Sequence, residues 1–276
     1  MGEGRVVLVG AGPGAPGLLT LAAVDAVRAA DVILYDRLAG PAFRMFVRSA
    51  TELVDVGKRP GASAATQEEI CRRLVDEARA GRIVVRVKGG DPFVFGRGYE
   101  EVLACVEGGV AVQVVPGVSS ALAAPELAGI PLTHRGFAPG FAVLSGHEDP
   151  RKARPAIDWA VLANLGVPIV VLMGVGTVGT HADVLLAAGM DPGTPVLAIE
   201  RASTPRQRRI RATLADCEAV FAAEGLASPA VVVIGDNAAL ASAWGGVEVG
   251  SALAEPDPAS IGAALEDYAR RRGGVA

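Results

Sequence analysis

The sequence predicts an α/β fold: a mostly parallel sheet covered by helices on both faces, built as one large or two moderate domains. Three observations predict it. Short apolar, β-branched runs alternate with segments of helical periodicity, the order that parallel βαβ units require. Of the 276 residues, 51% are apolar and only 4% aromatic, so alanine and valine fill the core, as suits helices packed on sheets. The 35 glycines sit in discrete loops rather than in a low-complexity run.

In the first half, 5–10, 32–35, 83–87 and 112–115 read as strands, and 18–30, 66–80 and 99–107 as helices. Thr66 with Glu69 three residues on forms a capping-box pattern, and Gly81 ends that helix. A second series follows, with strands at 141–145, 168–173, 195–200, 207–212 and 230–234 and helices at 159–165, 178–188 and 214–223. The Pro- and Gly-containing stretch 133–140 reads as a linker. The expected domains are therefore 1–137 and 138–245, with an irregular tail at 246–276 in which 260–272 has the pattern of one amphipathic helix.

The formal net charge of −4 offers no global basic field, so nucleic acid is not an expected partner. No apolar run approaches the roughly 18 residues of a membrane span. Cys71, Cys105 and Cys217 are far apart and fit no metal-ligand spacing, and His134, His147 and His181 fit none either. No metal site is expected. Unframed cysteines and an N-terminus without signal-peptide features point to a reduced, cytoplasmic setting. Arg206, Arg208, Arg209 and Arg211 read as the exposed side of a strand.

Two glycine loops bear on function. Gly12, Gly14 and Gly17 form a G-x-G-x-x-G between a strand and a helix, and Asp36 ends the following strand. That arrangement suits a dinucleotide site and hence a nicotinamide-dependent oxidoreductase. Pro13 and Pro16 remove N–H donors that such a site uses, and Gly174, Gly176 and Gly179 repeat the pattern after another strand. Glycines that let a strand turn tightly into a helix are the alternative.

The second loop, 88–98, follows the strand 83–87, where open α/β sheets bind ligands. Gly89 and Gly90 let a ligand approach the backbone. Asp91 is a carboxylate for a ribose hydroxyl or an ammonium group, and Arg97 is suited to bidentate carboxylate recognition. Glu100 and Glu101 open the next helix, where the dipole favours negative charge whatever their role.

These residues belong to an ordered set: 9–14, Tyr35-Asp36-Arg37-Leu38, Val56-Gly57-Lys58-Arg59, 85–98, Val115-Pro116-Gly117 and 129–135, continuing through Ser145-Gly146-His147, Met173-Gly174, Gln207-Arg208 and Ser228-Pro229-Ala230. Together they resemble the tetrapyrrole methylase family, and within it the branch that methylates uroporphyrinogen III on carbon. The resemblance covers residues 5–240 or so.

It implies two α/β domains with the cofactor in the cleft between them, usually as a homodimer. It implies S-adenosylmethionine as methyl donor, S-adenosylhomocysteine as co-product, and methylation at carbons 2 and 7 to give precorrin-2, the branch point towards sirohaem and cobalamin. Cofactor contacts carry over to Pro13, Gly89, Gly90, Asp91, Val94, Ser119, Ser120, Met173, Ala202 and Ala230. The family's proton acceptor falls on Asp36 and its proton donor on Lys58, while Arg97, Glu100 and Arg135 fall on positions linked to substrate binding and proton transfer. A substrate with eight carboxylates also suits Arg37 and Arg59 as partners.

The chain departs from the family pattern at several positions. Ala62-Ser63-Ala64 replaces a His-containing segment, Tyr99 a usual glycine, Leu127 and Leu172 frequent tyrosines, Ala202-Ser203 a usual Gly-Thr, and Ala15 a frequent aspartate. The substrate side is thus altered more than the cofactor side. A sister methyltransferase with another acceptor and a non-catalytic cofactor-binding protein stand beside the main reading.

Overall fold

The computed structural model describes residues 4–57, 65–135, 138–152 and 155–240. The tail from 246 onward, with its expected helix, lies outside the described residues. The chain forms two compact units that divide between Ser119 and Ser120.

The first unit is a five-stranded sheet of β1 (Arg5–Gly10), β2 (Val32–Tyr35), β3 (Glu52–Asp55), β4 (Ile83–Lys88) and β5 (Ala111–Val115) in the order β3-β2-β4-β1-β5. Every pairing is parallel. Helix α1 (Leu21–Ala29) covers one face, and α2 (Gln67–Arg79) and α3 (Gly98–Glu107) cover the other. Alternation along the central strand feeds both layers: Val6 and Leu8 pack with Leu74 and Cys105, while Val7 and Val9 pack with Val27 and Phe43. A strand buried on both faces reads as a continuous apolar run, which is why β1 is plain in the sequence. Truncating the fully buried Leu8 to alanine costs about 2–5 kcal/mol.

The capping box forms: the Thr66 N–H donates to Glu69 at 2.7 Å and the Glu69 N–H to Thr66 Oγ1 at 3.2 Å. The first helix starts later than the pattern suggests, because Pro16–Leu18 makes a separate 3-10 turn and Thr20 then caps α1 by accepting from Ala23 N at 3.1 Å. The edge strand β3 was not expected, since Glu52 and Leu53 are exposed and give it no apolar run.

In the second unit α4 (Ser120–Leu127) precedes β6 (Ala142–Ser145), α5 (Trp159–Asn164), β7 (Ile169–Leu172), α6 (Val178–Ala187), β8 (Pro195–Glu200), β9 (Arg208–Thr213), α7 (Cys217–Ala223) and β10 (Ala230–Ile234). The sheet order is β6-β7-β10-β8-β9. Only β6 and β7 pair in parallel, so this sheet is mixed. The short connection from β8 to β9 allows nothing but an antiparallel hairpin, because a parallel return needs a crossover of a dozen residues or more. One face packs on α5, α6 and α7 through Trp159, Leu162, Leu185 and Phe221. The other packs on Ala121, Ala124, Ala128 and Ile130. Those residues explain why the division falls before α4 rather than near residue 137: the apolar side of α4 is committed to β7, β8 and β10. Pro125 inside an alanine-rich stretch had hidden this helix.

Candidate functional site

The parallel strands of the first unit end together, and their loops are tied to one another. Beyond β1, Ala11 N donates to the Lys88 carbonyl at 2.8 Å; Gly12 N donates to Gly90 O at 3.2 Å, and Gly90 N returns to Gly12 O at 2.8 Å. A side chain on Gly10 would lie 2.6 Å from the Gly117 backbone. The N–H groups of Ala11 and Gly12 are therefore spent on protein carbonyls, not left for a pyrophosphate. Among these glycines Gly12 has φ of +70° and Gly90 of +65°, a backbone that favours glycine. In the other G-x-G-x-x-G, a Cβ on Gly179 would meet only the movable carboxylate of Glu218. The first triplet is thus built into a joint between loops, with the Ala11 and Gly12 donors already engaged.

Gly89 lies against the Leu38 carbonyl, which a Cβ would strike. Asp91 accepts from Phe93 N through Oδ1 at 2.8 Å and from Gly117 N through Oδ2 at 3.0 Å. Its carboxylate thus joins the loops after β4 and β5. The rest of the loop is tightly wound: Gly98 N donates to Pro92 O at 3.0 Å, and Phe95 and Arg97 take positive φ values of 54° and 56°. The winding leaves Phe93, Val94 and Phe95 exposed. Arg97 binds Glu100 in bidentate fashion, Nε to Oε1 at 2.9 Å and Nη2 to Oε2 at 2.6 Å. Arg97 holds the Glu100 carboxyl below the usual carboxylate range, and Glu100 raises the guanidinium in turn. Both are exposed, so the pair is open to exchange with solvent or ligand.

Asp36 follows β2. Its Oδ1 accepts from Leu38 N at 3.0 Å and Ala39 N at 3.1 Å, which caps the 3-10 turn Arg37–Ala39. Its Oδ2 accepts from Arg86 Nη2 at 2.9 Å. The carboxylate is half-buried, so capping and an open face coexist in one residue. Pro13 adjoins the Gly12–Gly90 bridge, and Ser119 is buried at the end of the unit. Lys58 and Arg59 lie outside the described residues.

Two residues of β4 escaped the sequence reading as a site feature. Arg86 and Lys88 are buried on the α2–α3 side, with Glu101 of α3 between them. Burial and the neighbouring Arg86 push Lys88 below the ordinary lysine range, against the pull of Glu101 and Asp36. The available signal was a pair of charges at alternate positions in an otherwise apolar central strand.

In the second unit, register brings three expected residues to one end of the strands. Leu172 pairs with Val231 and Glu200 with Ala230, so Met173, Ala202 and Ala230 all lie at or just beyond that end. Met173 has φ of 59° and stays partly exposed despite being apolar. Gly146 and Gly174 pack backbone to backbone beside it. Ser120 starts α4, and Arg135 is exposed. Among the described residues no group of three or more His, Cys, Asp or Glu side chains could hold a metal, and no helix is long and apolar enough to cross a membrane.

Parallel strand ends carrying tied, glycine-rich loops, followed by a mixed second sheet, define an α/β protein whose first unit gathers those loops on one rim. The chain belongs to the tetrapyrrole (corrin/porphyrin) methylase family, whose model matches residues 5–218. It is 45% identical over 233 residues to the S-adenosyl-L-methionine-dependent uroporphyrinogen III methyltransferase of Methanosarcina barkeri, covering 84% of this chain and 91% of that one. It is 44% identical to the sirohaem synthase of Chromobacterium violaceum over 86% of its own length, but spans only 50% of that longer protein. Among solved structures, the uroporphyrin-III C-methyl transferase of Thermus thermophilus with S-adenyl homocysteine has a TM-score of 0.70 and 46% identity, covering 86% of this chain and 100% of that one.

Proposed function

We propose that this chain is an S-adenosylmethionine-dependent uroporphyrinogen-III C-methyltransferase that methylates carbons 2 and 7 and yields precorrin-2 for sirohaem and cobalamin synthesis. The observation that carries the reading is the 45% identity to the M. barkeri enzyme across 91% of that enzyme's length. S-adenosylmethionine supplies an already activated sulfonium methyl, so the protein's task is alignment and proton removal. The residues present suit it. Gly89 and Gly90 offer backbone without side chains, and Val94 and Met173 are apolar groups left partly exposed at strand ends. We assign cofactor contact to these four, with Pro13, Asp91, Ser119, Ser120, Ala202 and Ala230.

Asp36 is the proton acceptor in this reading: both oxygens are held, yet the carboxylate keeps an open face. Lys58 is assigned as donor on the resemblance alone. Arg97 and Arg135 take substrate carboxylates, and Glu100 holds Arg97 until a substrate carboxylate replaces it. Three free cysteines agree with a cytoplasmic setting. The exposed Leu103 and Val106 on α3 give a homodimer an apolar surface to cover, which sedimentation would measure.

Anaerobic incubation with uroporphyrinogen III and S-adenosylmethionine, followed by mass measurement, tests the reading. A gain of two methyl groups is expected; no gain overturns it. A second reading, methylation of another tetrapyrrole, is favoured by Tyr99, which is 62% exposed and meets Phe93 edge-on at 6.1 Å beside Arg97. Methylation of a later corrinoid but not of uroporphyrinogen III would select it.

A further inference from the structure

Strand β4 carries charge where a central strand carries apolar residues. Arg86 and Lys88 are 3% and 4% exposed, and Glu101, which faces them from α3, is 0% exposed. With Asp36 they make two cations and two anions, a balanced set that low-dielectric burial demands. The bonding within the set is lopsided. Glu101 Oε1 accepts from Arg86 Nε at 3.2 Å, Lys88 Nζ at 2.8 Å and Gln67 Nε2 at 3.2 Å, while its buried Oε2 has no partner among the described residues. Packing alone does not call for so costly an arrangement; an apolar set of similar volume is often as stable.

The arrangement does fix Arg86. Its Nε is held by Glu101, its Nη1 donates to Val87 O at 2.8 Å, and its Nη2 donates to Asp36 Oδ2 at 2.9 Å. The planar guanidinium has no freedom left, so Glu101 sets where Nη2 meets Asp36. Asp36 Oδ1 is committed to two backbone N–H groups, so the Arg86 bond fixes the plane of the carboxylate and the lone pair it turns outward. We propose that Glu101 is a positioning residue for methyl transfer: acting through Arg86, it aims the Asp36 carboxylate that takes the proton from the methylated ring. The inference rests on the functional reading above and adds a residue that touches neither substrate nor cofactor.

The test uses the full-length enzyme and the variants Glu101→Gln, Asp36→Asn and their combination, with S-adenosylhomocysteine affinity measured by calorimetry. Glu101→Gln is expected to lower kcat about tenfold, a fraction of what a general base contributes. KM for S-adenosylmethionine and S-adenosylhomocysteine affinity should stay within about twofold, because a displaced base slows proton removal without touching the cofactor loops. In the Asp36→Asn background the same substitution should cost nothing further, since two residues acting through one contact are not additive. If Glu101→Gln leaves too much buried positive charge to fold, Glu101→Gln with Lys88→Met restores the balance and is expected to show the same kcat loss. Wild-type kcat in a folded variant, a loss that persists undiminished in Asp36→Asn, or a loss confined to cofactor affinity overturns the proposal. Full activity of Asp36→Asn alone overturns the role given to Asp36, and with it the inference. A wild-type enzyme that transfers no methyl to uroporphyrinogen III overturns the functional reading itself.

Discussion

Gly12 and Gly90 hold each other by both of their backbone hydrogen bonds, at 3.2 and 2.8 Å, and so fasten the loop after β1 to the loop after β4. The glycine triplet that resembles a phosphate cradle is thereby a joint between loops.

The Gly12–Gly90 joint and the second glycine triplet should respond differently to substitution. Gly90→Ala forces a side chain into a left-handed backbone at a cost of about 1–2 kcal/mol. Most of that should appear as a roughly tenfold loss of S-adenosylhomocysteine affinity in calorimetry, with the helical circular dichroism retained. Gly179→Ala meets only the movable end of Glu218 and gains helix propensity of about 1 kcal/mol. Its affinity for S-adenosylhomocysteine should equal that of wild type.

Arg97→Lys keeps the charge but loses the fork that binds a carboxylate through two nitrogens. KM for the tetrapyrrole should rise about tenfold, with KM for S-adenosylmethionine unchanged. Equal changes in both constants would contradict a substrate role.

Tyr99→Gly restores the residue usual at that position. If uroporphyrinogen III is the acceptor, kcat/KM should change by less than about threefold, because Tyr99 then packs on Phe93 at the rim without blocking the ring. A rise of about tenfold or more would mean that Tyr99 selects another acceptor, and competition between tetrapyrroles would identify it.

The ion pair at the start of the β8–β9 hairpin gives a pH signature. Burial pushes the Glu200 carboxyl up, but Arg208, the Ala227 N–H and Arg201 outweigh it and hold it below the ordinary value of 4.5. A carboxyl with a lowered folded value contributes stability that is complete above the unfolded value and is lost as pH falls through the folded one. Arg208→Leu should therefore cost about 2 kcal/mol at pH 7 in urea unfolding. The gap to wild type should narrow as pH falls below 4.5 and close once Glu200 is protonated in the folded state as well.

The first sheet was legible because β1, β2 and β4 are buried on both faces, β1 and β2 reading as apolar runs and β4 as a β-branched run interrupted only by Arg86 and Lys88. Strand β3, half-exposed at the edge, carries no such run, and α4 hides behind Pro125 and its alanines. The loop after β4 was legible as a ligand loop from its position. The Arg86–Glu101–Asp36 chain was not, since a glutamate in the first turn of a helix is already explained by the helix dipole. Only the packing of α3 on β4 separates Glu101, fully buried, from Glu100, exposed beside it.

The meeting of Gly10, Gly90 and Gly117, with Asp91 bonded across to Gly117, has a consequence for how such proteins diversify. The loops after β1, β4 and β5 form one packed cassette. A chimaera that imports a single loop bearing a side chain at Gly10 or Gly117 collides with the backbone of the loops left behind, and one at Gly90 strains a left-handed backbone, whereas importing all three loops together preserves the joint. Under the proposed function, acceptor preference is freest to drift away from those glycines, at the exposed Phe93, Val94, Phe95 and Tyr99.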